Sequence, residues 1–230
     1  LTLRIDFSGR GESYGSAAAA SIEAMIADAN AALRWLRVQA PSPTPLAVLG
    51  ICSGCKVAFA TAAAAADDIA ALILWSAESM GSLRSQATGR RKMFTNLKAY
   101  LVKLRRAETW AKLLRGQVRT DMVRKALVRQ EQRSAEEAVR EDEILCKFHT
   151  FGVEMLFVFG GSDPDAKGSS AAYTNYCRRH RLRQRTHTVA HAGHSYYALD
   201  WEEEVIAKST DFVQEVMAIQ NGQSGGGTDG

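Results

Sequence analysis

Leu46-Ala47-Val48-Leu49-Gly50-Ile51-Cys52-Ser53-Gly54 runs from an apolar, strand-like stretch through a turn into an Ala-rich segment that continues to Ala66. A strand joined to a helix by so tight a turn is the geometry of a nucleophile elbow, where one residue is held at strained backbone angles above the sheet. The chain passes closely behind that residue, so the positions two before and two after it must be small. Gly50 and Gly54 meet this requirement around Cys52. Centring the elbow on Ser53 would put Ile51 and Cys55 in the crowded positions, and a β-branched side chain fits badly there. The nucleophile is therefore read as Cys52, with Ser53 as the alternative nucleophile in a strained elbow.

Working outward, the spacing predicts a strand over Leu1 to Phe7, closed by the Ser8-Gly9-Arg10-Gly11 turn, and a helix over Ser16 to Val38. Pro41, Pro43 and Pro45 interrupt the chain before the elbow strand. After the elbow come a helix over Gly54 to Ala66 and an apolar run over Ile69 to Trp75. Strands are predicted again at Val153 to Phe159 and Arg185 to Ala190, with helices at Ser169 to His180 and Trp201 to Ile219, the last opened by an Asp200 and Glu203 capping box. Alternating strands and helices imply right-handed crossovers and a mostly parallel sheet with helices on both faces, an α/β class. Residues 81–148 break the alternation with helical spacing only, and are read as an inserted helical cap. The core is then 1–80 together with 149–220, and 221–230, rich in Gly and Ser, is a disordered tail.

Composition narrows the function classes. The 230 residues carry 46% hydrophobic and 23% charged side chains with a net charge of +4, an ordinary globular balance. No apolar run approaches the roughly 20 residues that span a bilayer, and no secretion signal opens the chain, so a cytoplasmic location is expected. Cys52, Cys55, Cys146 and Cys177 are too few for a disulfide framework. They form a C-x-x-C pair and two C-x-x-H pairs with His149 and His180, but without the knuckles of a structural zinc site, so no metal is expected. Residues 82–148 hold 17 Lys and Arg against 8 Asp and Glu. This basic cap suits an acidic partner. A second cluster, Arg178 to Arg185, has no interleaved aromatic residues to stack bases, which argues against nucleic acid.

An elbow nucleophile needs a base and an orienting acid, delivered by loops at the carboxyl ends of later strands. Gly160-Gly161-Ser162-Asp163-Pro164 follows one predicted strand, making Asp163 the candidate acid, with Asp165 as its competitor further from the strand end. His191-Ala192-Gly193-His194-Ser195 follows the next and holds two of the chain's five histidines. His194 is the candidate base, freed by the preceding glycine, and His191 is assigned a structural role. Cys52 at the amino end of a helix, beside an imidazole, is placed to react as a thiolate, with the Ser53 backbone N–H stabilising the oxyanion.

With R-I-D-F-S-G-R-G-E-S at 4–13, G-I-C-S-G at 50–54, G-G-S-D-P at 160–164 and A-G-H-S at 192–195, the chain resembles the α/β-hydrolase superfamily over nearly its whole length. L-I-L-W-S at 72–76 and the basic stretch at 100–116 resemble the hydrolases associated with exosortase and exopolysaccharide gene clusters. Dienelactone hydrolase, with its own G-x-C-x-G elbow, is a precedent for a thiol nucleophile. The resemblance implies hydrolysis of a small-molecule ester or thioester by a Cys-His-Asp triad, with no cofactor. It also implies that the strands before the family's fourth are absent, among them the one whose loop supplies the second oxyanion donor. Either the chain is a fragment, or its first strand fills the empty place beside Leu46 to Ile51. Losing such a donor costs about 3 to 4 kcal/mol of transition-state stabilisation, so weak activity is expected. A catalytically silent accessory or binding protein of an envelope or exopolysaccharide pathway is the competing expectation.

Overall fold

The computed structural model describes residues 2–40, 44–84, 135–148 and 153–224. Four strands, β1 Leu46–Ile51, β2 Ile69–Trp75, β3 Glu154–Gly160 and β4 Gln184–Val189, form a parallel sheet paired in chain order. Helices α1 Ile22–Gln39, α2 Gly54–Ala64, α3 at 135–148, α4 Ala166–Arg179 and α5 Leu199–Ser224 surround it.

Successive residues of a strand face opposite ways, and here both ways are covered. Leu72, Leu74, Met155, Phe157 and Phe159 join Phe59 of α2, Phe148 of α3 and Tyr173 of α4 in one core. Its centre is aromatic: Phe59 meets Phe148 edge-on at 4.7 Å between centroids and stacks on Tyr173 at 5.7 Å. Ala71, Ile73, Leu156 and Val158 face the other way, against Val205, Phe212 and Val216 of α5. Burial on both faces is why β2 and β3 read as unbroken apolar runs. α5 packs on β2, β3 and β4. It leaves Leu49 and Ile51 of the edge strand β1 46% and 48% exposed.

α3 is tied to the elbow helix by charge. Glu141, only 5% exposed, accepts from Lys56 Nζ of α2 at 2.7 Å and from Arg84 at 2.6 Å. Its second oxygen accepts the Gly81 N–H at 2.7 Å, and Asp142 accepts the Ser82 N–H at 2.7 Å. A buried carboxylate persists when its charge and lone pairs are matched in this way. A helical turn begins at 83–84, and 135–148 is helical. The rest of the expected cap, 85–134, lies outside the described residues, as do 149–152 of the expected core.

Several boundaries differ from the sequence reading. Residues 2–7 form no strand, because among the described residues they have no neighbour to pair with. The Ser16 to Val38 helix is two elements. Ser16 caps a short 3-10 turn, Ala17–Ala19, and Ser21 restarts the chain as α1, its hydroxyl accepting the Ala24 N–H at 3.2 Å. α4 starts at Ala166 instead of Ser169. α5 starts at Leu199, so Asp200 lies inside the first turn and is no cap, and the Ala198 carbonyl accepts from Trp201 and Glu202. α5 also runs on to Ser224, through the start of the expected disordered tail, since extending a docked helix adds one hydrogen bond per residue. Residues 225–230 lie outside the described residues.

Candidate active site

β1 delivers the chain to the elbow. Cys52 has φ +54°, left-handed backbone that costs a non-glycine residue about 1 to 3 kcal/mol. Ser53, by contrast, is already right-handed helical at φ −60° and ψ −25°. The strained residue is therefore Cys52. Its N–H donates to the Trp75 carbonyl at 2.8 Å, and its carbonyl accepts the Cys55 N–H at 3.0 Å, tying the bend to β2 and to α2. A Cβ on Gly50 would lie 2.8 Å from Ala58 Cβ, Cys55 Cα and Gly54 O, so only glycine fits there. Around Gly54 a Cβ would meet nothing within 4 Å. The small-residue requirement is thus one-sided: the first turn of α2 passes behind Gly50, and Gly54 faces open space.

Asp163 and His194 reach the elbow from the ends of β3 and β4. His194 Nδ1 lies 2.8 Å from Asp163 Oδ2, and His194 Nε2 lies 3.1 Å from Cys52 Sγ. The Asp163 side chain is 7% exposed, and its other oxygen accepts the Asp165 N–H at 3.0 Å, so the carboxylate is held at both ends. Held this way it orients the ring with Nδ1–H toward itself and the Nε2 lone pair toward sulfur. Asp165 is exposed at the N-cap of α4, and His191 sits exposed in the turn at φ +61°. The Asp165 backbone N–H braces Asp163, but the relay itself runs through neither the Asp165 carboxylate nor the His191 ring. Ser53 is exposed, and as the N-cap of α2 its N–H has no acceptor within the helix, leaving it open to an anion.

Residues outside the relay hold this arrangement. A Cβ on Gly160 would lie 2.5 Å from the Ala192 carbonyl oxygen and in hard contact with that of Gly193, so the His194 loop can cross the end of β3 only over a glycine. Ser76, buried just after β2 with φ +51°, donates its hydroxyl to the His194 carbonyl at 2.7 Å. The Tyr196 hydroxyl is 3.0 Å from Ser76 Oγ and donates to the Val158 carbonyl at 3.0 Å. Burial holds the Tyr196 phenol above its ordinary range, so it stays a donor. The Gly-Gly pair at 160–161 was the one available sequence clue, a glycine at a strand end where another backbone crosses.

A further residue, Glu78, stands beside the nucleophile candidate, with Oε1 3.8 Å from Cys52 Sγ. The Tyr173 hydroxyl fixes its backbone by donating to the Glu78 carbonyl at 2.7 Å. A cleft of about 340 Å³ opens along His194, Asp163, Ser76, Glu78, Phe159 and Arg84. That is the small end of the range for ligand pockets. The two buried thiols, Cys55 and Cys177, are of another kind. Burial pushes Cys177 up to about 12. Burial, reinforced by Cys52 and Glu78, drives Cys55 well above its ordinary range.

Residues 1–195 match the family model described as serine aminopeptidase, S33. Among solved structures, the chain is similar to a highly thermostable carboxyl esterase from Bacillus coagulans, with 15% identity and a TM-score of 0.58 over 92% of this chain and 79% of that one. It is also similar to the α/β-hydrolase GrgF from Penicillium, with 17% identity and a TM-score of 0.53 over 93% and 78%. An esterase from Pyrococcus furiosus gives 16% identity and a TM-score of 0.54 over 92% and 68%. At these identities the likeness is one of fold. A search of curated proteins finds no match.

Proposed function

The chain belongs to the serine aminopeptidase S33 family, hydrolases of the α/β type, and on that premise we propose that it cleaves small-molecule esters or thioesters with Cys52 as nucleophile, His194 as base and Asp163 as orienting acid. The observation that carries this reading is the unbroken relay of 3.1 Å from sulfur to imidazole and 2.8 Å from imidazole to carboxylate. The family is named for a serine, and the elbow here presents a thiol.

The chemistry follows from the distances. His194 Nε2 takes the Cys52 proton as the sulfur attacks the acyl carbon, and the Asp163 carboxylate stabilises the imidazolium. The tetrahedral oxyanion is met by the Ser53 N–H at the positive end of α2. Collapse of the intermediate breaks the bond to the leaving group, which takes the proton from Nε2. Water then attacks the acyl-sulfur bond, giving its proton back to His194, and the acid product departs from a free thiol. An ester or thioester suits this sequence, because an alcohol or a thiol is a better leaving group than an amine. A small acyl group fits the cleft of about 340 Å³.

The reading includes a cytoplasmic site of action, resting on composition, and service in an exopolysaccharide gene cluster, resting on sequence resemblance. An acidic partner at the basic cap would engage residues outside those described. The silent accessory alternative is not favoured by any contact in the site. Kinetics on p-nitrophenyl acetate and on a short-chain acyl thioester provide the test. Cys52→Ala and His194→Ala are each expected to lower kcat/KM by roughly 10³-fold or more. Full activity in Cys52→Ala, with loss in Ser53→Ala, would transfer the role to Ser53.

A further inference from the structure

We propose that Cys52, His194 and Glu78 form a zinc site, filled in competition with the acyl substrate. The competition rests on the acyl-transfer reading given above, and the binding of metal does not. Three donor types, a thiol, an imidazole nitrogen and a carboxylate, arrive from the ends of three strands, β1, β4 and β2. Their ligand atoms all lie within 4.8 Å of one another. Sulfur is 3.1 Å from His194 Nε2 and 3.8 Å from Glu78 Oε1. A tetrahedral zinc, with bonds of ~2.3 Å to sulfur and ~2.0 Å to nitrogen or oxygen, sets neighbouring donors about 3.5 Å apart. The two observed separations fall on either side of that value, so rotation of the exposed Glu78 side chain and a slight opening of the Cys52 to His194 contact complete three of the four positions.

The surroundings suit the ion as well as the donors do. His194 gives its other ring nitrogen to Asp163, the carboxylate behind imidazole that fixes tautomer and orientation in metal sites. Cys52 is immobilised by the elbow, and the Glu78 backbone by Tyr173, so two ligands and the root of the third are preorganised. A thiolate and a carboxylate with a neutral imidazole supply two negative charges against Zn²⁺. The thiol proton is released to solvent as the bond to zinc forms. Sulfur and nitrogen donors select zinc over magnesium or calcium. The fourth position opens to the cleft and takes water. Glu78 has no step in the acyl-transfer sequence. A dication held between Cys52 and Glu78 bonds both and removes the sulfur lone pair from attack.

Direct metal binding tests this without relying on turnover. The full chain carrying Cys146→Ser, which removes the exposed thiol, is titrated with Co²⁺ and then Zn²⁺. One equivalent of Co²⁺ is expected to give a thiolate-to-cobalt charge-transfer band with tetrahedral visible bands, both abolished by one equivalent of Zn²⁺. Cys52→Ser is expected to lose the charge-transfer band, and Glu78→Gln to weaken Zn²⁺ binding about tenfold or more. Glu78 is exposed, so Glu78→Gln folds, as circular dichroism checks. Zn²⁺ should also shield Cys52 from iodoacetamide in the parent and far less in Glu78→Gln. Equal Zn²⁺ affinity in parent and Glu78→Gln, or a Co²⁺ spectrum that survives Cys52→Ser, overturns the site. Loss of esterase activity in Cys52→Ala with no zinc binding in the parent would leave the hydrolase reading standing and the zinc site refuted. Zinc binding with unchanged esterase activity in Cys52→Ala would do the reverse for the nucleophile.

Discussion

Cys52, Cys55, Cys146 and Cys177 share one side-chain chemistry and differ in where the fold leaves them. Cys52 is half-buried beside an acceptor nitrogen, Cys146 is exposed, and Cys55 and Cys177 are buried with their thiols driven up by desolvation. Only a thiolate alkylates, so limited iodoacetamide at pH 7 followed by peptide mass spectrometry should label Cys52 and Cys146 and spare the other two. Labelling of Cys52 should fall in His194→Ala while that of Cys146 holds. The two elbow glycines make a second contrast. Gly50→Ala drives a methyl into Ala58, Cys55 and the Gly54 carbonyl, and should lower stability by about 2 kcal/mol or more, with loss of activity. Gly54→Ala meets nothing, and at a helix position should be neutral or stabilising by about 0.5 to 1 kcal/mol. Thermal melts of the pair decide it, and equal losses would mean that Gly54 is as confined as Gly50.

Elements meet through a few buried charges, and the acid limb of stability belongs at this scale. Glu137 of α3 accepts from Lys56 at 3.3 Å and Arg84 at 3.5 Å. Burial works against its ionised form, but Lys56 and Arg84 outweigh it and hold the carboxyl below its ordinary 4.5. A folded-state value depressed below the unfolded one means that the unfolded chain binds the proton more readily. The contribution of Glu137 is therefore present above 4.5 and is lost as pH falls below 4.5 through the folded value. Glu137→Gln should reduce stability at pH 7 by less than about 1 kcal/mol, since the group is half exposed, and should shrink the difference from the parent on acidification below 4.5. Denaturant melts at pH 7 and below 4.5 measure this, and a gap that widens in acid would reverse the sign. The same scale shows where sequence reading succeeds and where it stops. β2 and β3 were legible because both faces are buried and the apolar run is continuous. The stretch at 2–7 has the local alternation of a strand, yet pairing is a property of a neighbour, which local pattern does not encode. Helix starts are hidden for the opposite reason: Ser21 caps α1 inside what periodicity presents as one helix.

At the scale of the whole molecule, the described sheet is buried along its central strands β2 and β3 and more open along its outer strands β1 and β4. Leu49 and Ile73 are register partners on adjacent strands facing the same way, one 46% and the other 2% exposed. Ile73→Ala should cost about 2 to 5 kcal/mol, and Leu49→Thr about 0.5 kcal/mol or less, as read from denaturant melts. A large loss for Leu49→Thr would mean that β1 is covered in solution. The meeting of Cys52, Asp163 and His194 was legible at this scale, because parallel strands place their carboxyl ends along one edge and loops there converge whatever lies between them in sequence. Ser76, Tyr196 and Glu78 were not. A lone serine, tyrosine or glutamate carries no pattern, and their contacts exist only once the strand ends lie side by side. The tie of Gly81 to Glu141 has a consequence for how such chains diversify. Gly81 and Glu141 lie 60 positions apart in the chain yet are hydrogen-bonded, and the entropic penalty of closing such a loop grows by only about 0.6 kcal/mol for each doubling of its length. Changes of chain length between those two positions therefore tax the fold only lightly.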